Sequence, residues 1–194
     1  MPTLSTRTQI IIGGLLAMLM IATRGHHFIS LHSLPGASWA IFFLAGVYLR
    51  NNWTLVGLLA LTWMLDFAAY AWGGSSVNYC ITPAYIFLLP AYSALWFAGR
   101  WYAKGYRFEW NTLLPLVAAT LVGAVACELF SSGSFYFFSG RIAEPTLSNF
   151  VAQEMVYFPA YLQSLAFYVG IATVVHALFG LMQGVSHHSN TTAG

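Results

Sequence analysis

Cys80 is the residue of this chain with the clearest capacity for chemistry. It lies in residues 75–85, at the end of a polar turn and directly before a long apolar run. The pair Thr82 and Pro83 predicts a helix N-cap followed by proline at the first helical position. The thiol is therefore expected beside the positive end of a helix dipole, where a thiolate is favoured. Such a thiol is a candidate soft metal ligand; the alternative is a small hydrophobic residue, as most membrane cysteines are.

Three carboxylates fall in or near apolar segments. Asp66 precedes Trp72 by six residues, which at a rise of about 1.5 Å per residue puts it roughly 9 Å below the outer mouth of its segment. A carboxylate at that depth normally faces an interior cavity or a partner, so Asp66 is a candidate functional group, with a purely structural hydrogen bond as the alternative. Glu128 and Glu154 lie near the outer ends of their segments and are expected to be ordinary solvated carboxylates.

Histidines and aromatic residues also lie near the predicted outer ends of the apolar segments. His26, His27 and His32 follow Arg24 closely, and three imidazoles in one short stretch suit either a transition metal or a polar interfacial loop. The aromatic, glycine-flanked residues 131–140 suit a mobile lid over an apolar ligand, or an interfacial anchor. His176 stands alone in an apolar helix and is expected to be a hydrogen-bonded interior residue.

The composition excludes several classes of protein. The chain has 194 residues, of which 59% are hydrophobic and 6% charged, whereas soluble domains carry about 25% charged residues. The net charge of +2 gives no sign of a nucleic-acid partner. No phosphate-binding loop or zinc-type spacing is present, so the chain cannot hydrolyse ATP by itself.

The elements that position these residues are apolar segments of membrane length. There are six, at about residues 8–23, 36–49, 54–72, 82–99, 112–130 and 155–182. Most approach the roughly 20 residues that cross a bilayer, and such long continuous runs exclude a barrel. We therefore predict an all-α membrane protein, a bundle of six transmembrane helices forming one domain over residues 1–185. The polar residues 186–194 are predicted to be a disordered tail.

The positive charges predict the orientation of this bundle. With six spans, one side carries five cations, Arg7, Arg50, Arg100, Lys104 and Arg107, and the other only Arg24 and Arg141. The positive-inside rule then places both termini in the cytoplasm and Cys80 at the outer face.

Four stretches resemble the BtuM family of small bacterial membrane proteins. They are RGHHF at 24–28, LPGASWAIFFLAGVYLR at 34–50, DFAAY at 66–70 and VNYCITPAY at 77–85. The resemblance covers essentially the whole chain. The BtuM family is itself similar to the six-helix S-components of energy-coupling-factor (ECF) transporters. It implies a bacterial inner-membrane protein that takes up cobalamin (vitamin B12) through an outward-facing cavity, with a cysteine, here Cys80, ligating cobalt.

The predicted site follows from both lines of reasoning. Cys80 is assigned as the cobalt ligand and as the thiolate that would assist removal of an upper cyanide. The predicted substrate-binding residues are Arg24, His27, Asp66, Asn78, Tyr79 and Tyr85. Expected partners are cobalamin, the lipid bilayer and an ECF-type energising module, for which Gly13, Gly14 and Ala17 on the first helix offer a small-residue surface. The alternatives are a membrane enzyme that modifies a corrinoid or another metal tetrapyrrole, and a structural subunit without a solute.

Overall fold

The computed structural model describes residues 4–24, 36–72, 83–107 and 109–191, with only the backbone of Tyr70, Trp72 and residues 183–191. These residues form six α-helices and two short 3-10 helices, and they contain no strand. The α-helices are α1 Thr6–Arg24, α2 Ser38–Tyr48, α3 Trp53–Trp72, α4 Leu88–Gly105, α5 Leu113–Phe138 and α6 Leu147–Thr191. The 3-10 helices are Pro83–Phe87 and Trp110–Thr112. The prediction of one helix in each apolar segment is confirmed.

Three of the described helical segments are long and apolar enough to cross a membrane: Thr6–Arg24, Trp110–Phe138 and Leu147–Met182. The surface of these helices agrees with this, because many large apolar side chains of α1, α5 and α6 are exposed. The chain therefore has the character of a membrane protein. The six-span bundle stays a prediction, since α2 and the apolar part of α3 are shorter.

Helix α2 is the centre of the fold. Its 11 residues rise only about 16 Å, roughly half of a bilayer's hydrocarbon thickness. Every residue from Ala40 to Val47 is buried, because α2 is packed against all five other α-helices. The apolar run at 36–49 is thus a core helix surrounded by the others.

Two glycines let α2 and α4 touch along their backbones. A Cβ atom on Gly46 would lie 2.1 Å from the carbonyl oxygen of Trp96, and one on Gly99 would lie 2.1 Å from that of Phe43. Only hydrogen fits at either position, so this crossing is as close as two helices allow. On the far side of α4, Gly123 brings α5 close in the same way, with a Cβ position 2.9 Å from the Cβ of Ala98.

Consecutive helices run in alternating directions, and hydrogen bonds mark the two ends of the bundle. At one end, Arg100 donates to the Arg50 carbonyl oxygen at 3.0 Å and to the Asn52 side chain at 3.3 Å. The Arg50 amide donates to Gln9 at 3.1 Å. We call this the Arg100 end. At the opposite end, α1 finishes and α2 starts around Arg24, and this is the Arg24 end.

Two segments differ from the sequence-based expectation. Residues 131–138, expected to form a mobile lid or an interfacial anchor in a loop, are the last two turns of α5. Their aromatic side chains pack against the start of α6, with Tyr136 and Phe137 both in ring contact with Phe150. Helix α6 also continues to Thr191, so helical backbone covers most of residues 186–194, for which the composition predicts disorder.

The α2–α4 contact predicts which glycines cannot be replaced. Gly46→Ala and Gly99→Ala should each lower stability by about 3 kcal/mol, because the added methyl group meets backbone atoms that cannot move aside. Gly57→Ala is the matched control, since nothing lies within 4 Å of its Cβ position and alanine favours a helix. Melting temperatures of the detergent-purified variants measure this. Equal melting temperatures for Gly46→Ala and Gly57→Ala would contradict the close contact.

Candidate binding site

A guanidinium group organises the Arg24 end. Arg24 is the last residue of α1, and its Nε and Nη2 atoms donate to Oδ1 and Oδ2 of Asp66 at 2.6 and 2.7 Å. The remaining nitrogen, Nη1, donates to the Ser38 hydroxyl at 2.9 Å and to the Tyr92 hydroxyl at 2.8 Å. This fork-to-fork pairing is the strongest geometry available to an arginine and a carboxylate. It ties the ends of α1, α2, α3 and α4 together.

Asp66 also receives a hydrogen bond from Tyr85. The Tyr85 hydroxyl donates to Oδ2, the same oxygen that accepts from Arg24 Nη2. Tyr85 belongs to the 3-10 helix Pro83–Phe87, and its ring lies against Trp63 on α3, with 6.0 Å between centroids. Both carboxylate oxygens of Asp66 are engaged by protein groups, which is the structural hydrogen bonding that the sequence left as the alternative. A substrate-binding role for Asp66 stays a prediction.

The ion pair is only partly shielded. The side chains of Arg24 and Asp66 are 19% and 26% exposed. Protein groups therefore replace most of the water around the Arg24 and Asp66 side chains, while part of each side chain remains exposed. A polar group that reached this end would meet a neutralised, hydrogen-bonded network.

Aromatic side chains surround this network. Phe42 of α2 stacks on Tyr92 with 4.4 Å between ring centroids and an interplanar angle of 4°. Trp39, next to Ser38, stacks on Tyr161 of α6 at 5.4 Å. Phe42 and Tyr92 are almost fully buried, so of these four rings only Trp39 and Tyr161 present surface to a ligand.

The structure brings together three of the predicted site residues: Arg24, Asp66 and Tyr85. Asn78, Tyr79 and Cys80 lie outside the described residues, as do His26, His27 and His32. Among the side chains that the structure describes, no three His, Cys, Asp or Glu residues gather into a metal-binding group. The cobalt-ligand assignment of Cys80 stays a prediction. Pro83 does begin the helical segment that follows it, as the sequence predicts.

Two residues of the network were not singled out in the sequence. Tyr92 lies seven positions after Tyr85, a spacing that puts two side chains on one helix face, and this was the available signal. Ser38 carried no signal of its own, since a serine at the start of a helix usually serves as a cap. Here its hydroxyl accepts from Arg24 instead, and no side-chain cap bond is made at the start of α2.

The expectation for Glu128 and Glu154 was wrong. Glu128 on α5 is only 5% exposed, and its Oε1 accepts from the Ser132 hydroxyl at 2.8 Å. Glu154 on α6 points its carboxyl group at Glu128, and its Oε2 atom is shielded from solvent. Neither is an ordinary solvated carboxylate, because α5 continues past the predicted end of its span and α6 starts earlier, which encloses both side chains.

No protein-family model matches this chain, and no curated protein matches it. The resemblance to the BtuM family therefore rests on the four sequence stretches that carry it, and what it implies stays a prediction.

Removing the Asp66 charge is the direct test of this network. Asp66→Asn should lower stability by roughly 2 kcal/mol, less than the 3–5 kcal/mol lost on breaking a fully buried pair, because both side chains keep some exposure. The exposed Glu144 offers a control, since Glu144→Gln removes the same charge without breaking a pair. Thermal melting of the purified variants measures both.

The double variant Arg24→Met, Asp66→Leu separates the pair from its parts. It should recover most of the loss, because two apolar side chains of similar size need no charge compensation. If Asp66→Asn has the same melting temperature as the unaltered protein, the ion pair has no structural role, and Asp66 would serve only to bind a ligand.

Proposed function

We propose that this protein binds cobalamin at the Arg24 end and mediates its uptake across the bacterial inner membrane, with Cys80 as an axial cobalt ligand. The observation that carries the proposal is the Arg24–Asp66–Tyr85 network, a compensated polar cluster set among aromatic rings. It joins α3 to the 3-10 helix Pro83–Phe87, the two elements that flank residues 73–82 in the sequence. Cys80 belongs to those residues.

The chemistry of a corrinoid suits these surroundings. A corrin ring is large, flat and amphipathic, with amide side chains around its rim. Aromatic walls such as Trp39 and Tyr161 suit its faces, and hydroxyl and carboxylate groups suit its amides. Because the Arg24 charge is already neutralised by Asp66, the site favours a polar, uncharged rim over a strongly anionic solute.

Covalent geometry supports a link between Cys80 and this cluster. Cys80 precedes Pro83 by three residues, so the chain can separate their Cα atoms by no more than about 11 Å. The hydrogen bond between Tyr85 and Asp66 anchors the nearer end of the segment to α3. A thiolate on this tether would bind cobalt while the corrin edge reaches the network.

A thiolate ligand would also change the reactivity of the bound vitamin. It donates electron density to Co(III), which weakens the bond to a cyanide on the opposite face. That bond then breaks with both electrons leaving on cyanide, which takes up a proton, and cobalt keeps its oxidation state. The alternative function, an enzyme that modifies its corrinoid, differs from transport in making this ligand loss the physiological product.

Orientation and partner follow from the charges and from α1. The cations Arg7, Arg50, Arg100, Lys104 and Arg107 face the cytoplasm in the proposed arrangement, which turns the Arg24 end outward. Helix α1 presents an apolar outer surface in which a Cβ on Gly14 would meet nothing within 4 Å. We propose this surface for contact with an ECF-type energising module.

The visible spectrum of the bound vitamin tests the cobalt ligand. Protein purified with cyanocobalamin should show a spectrum different from the free vitamin and should lose cyanide gradually. Cys80→Ala and Cys80→Ser should keep some affinity through wall contacts but show an unligated spectrum and retain cyanide, because neither side chain supplies a thiolate.

Cys127 provides the matched control for this experiment. It is fully buried within α5, so Cys127→Ala should leave the spectrum and the cyanide loss unchanged. A wild-type spectrum in the Cys80 variants would exclude the cobalt–sulfur bond and turn attention to His26, His27 and His32. A protein that never takes up the vitamin would overturn the proposed function.

Labelling of intact cells tests the orientation. A membrane-impermeant thiol reagent should modify Cys80 from outside in cells grown without cobalamin. It should not modify Lys104→Cys in a Cys80→Ala background until the cells are broken, because Lys104 lies at the opposite end of α4 from Tyr92. Modification of Lys104→Cys in intact cells would reverse the proposed orientation.

A further inference from the structure

A cavity lies at the Arg100 end, far from the site described above. Its volume is about 290 Å³, and α2, α4, α6 and the start of α5 line it. Its aliphatic lining includes Leu44, Val47, Leu116 and Val169, and aromatic side chains make up most of the rest. Helix α6 packs on α2 and α5 rather than on α4, which leaves this space between α6 and α4.

One side of the cavity is aromatic and polar. The imidazole of His176 lies between Tyr48, with centroids 5.8 Å apart, and Tyr106, with centroids 5.3 Å apart and perpendicular planes. Tyr102 adds a third phenol to the lining. Trp110 lies at the rim and is 87% exposed. Tyr and Trp side chains with this combination of apolar rings and polar tips are typical of the depth at which lipid headgroups begin.

The charge around the cavity is positive. Arg107 belongs to the turn that forms the rim, since its carbonyl oxygen accepts from the Thr112 hydroxyl at 3.0 Å and from the Glu109 amide at 2.8 Å. Arg50 follows Tyr48 by two residues, and Lys104 lies on the last turn of α4. Glu109 also lines the cavity and is the acidic residue of this rim. The apolar walls thus open toward a surface with excess positive charge.

We propose that this cavity binds one anionic phospholipid. An acyl chain occupies the aliphatic walls, the tyrosine hydroxyls and His176 meet the ester and phosphate oxygens, and Arg107 and Lys104 supply the positive field that selects a net negative headgroup. The proposal is independent of cobalamin binding, since the two sites share no residue.

Native mass spectrometry of delipidated protein tests this proposal. Titration with phosphatidylglycerol should give one saturable bound lipid, with phosphatidylcholine binding about fivefold more weakly because it lacks the net charge. Ala177→Phe fills the cavity from α6 and should weaken phosphatidylglycerol binding by at least about tenfold. Val174→Phe is the matched control, because Val174 is 59% exposed on the same helix and does not line the cavity.

If Ala177→Phe lowers the melting temperature, a second variant still tests the proposal. Arg107→Gln changes only an exposed side chain and should abolish most of the preference for phosphatidylglycerol, while added salt should do the same to the unaltered protein. Equal binding of the two lipids, or equal loss in Ala177→Phe and Val174→Phe, would overturn the proposal. So would full phosphatidylglycerol binding by Ala177→Phe.

Discussion

The fold depends at one end on neutralising a single guanidinium. Arg24 is about one-fifth exposed, and a cation in such surroundings is stable only with a counter-charge and a full set of acceptors. Asp66 supplies the charge, and the oxygens of Ser38 and Tyr92 take the remaining donor. Because these partners come from different helices, satisfying one side chain fixes where α1, α2, α3 and α4 meet.

The close contact between α2 and α4 holds the short helix α2 in the centre of the bundle. Gly46 and Gly99 allow backbone contact there, so α2 lies buried among longer helices although it is too short to cross a bilayer by itself. The stacked pair of Phe42 and Tyr92 continues the same interface toward the Arg24 end. The Arg24 network lies at the start of α2, and the cavity lies beside its C-terminal half.

The two ends differ in how their charges are balanced. At the Arg24 end, the cation is paired and the surroundings are aromatic, which suits a bulky neutral solute. At the Arg100 end, Arg100 is held by neutral oxygens of Arg50 and Asn52 and lies over the Trp96 ring at 4.4 Å, so its charge is not cancelled. A surface with more cations than carboxylates beside an apolar cavity suits an anionic amphiphile. The proposals for cobalamin and for a phospholipid therefore rest on separate physical observations.

The sequence by itself determined the six helical segments and the membrane character, because continuous apolar runs can satisfy their backbone in lipid only as helices. It also identified Asp66 and Tyr85, since a charge or hydroxyl among apolar residues requires a partner. Only the tertiary structure decided that the partner of Asp66 is Arg24, that α2 is the core helix, and that α5 runs to Phe138 and encloses Glu128. These depend on contacts between residues far apart in the chain, such as the 42 positions between Arg24 and Asp66, and local periodicity carries no information about which distant side chains will meet.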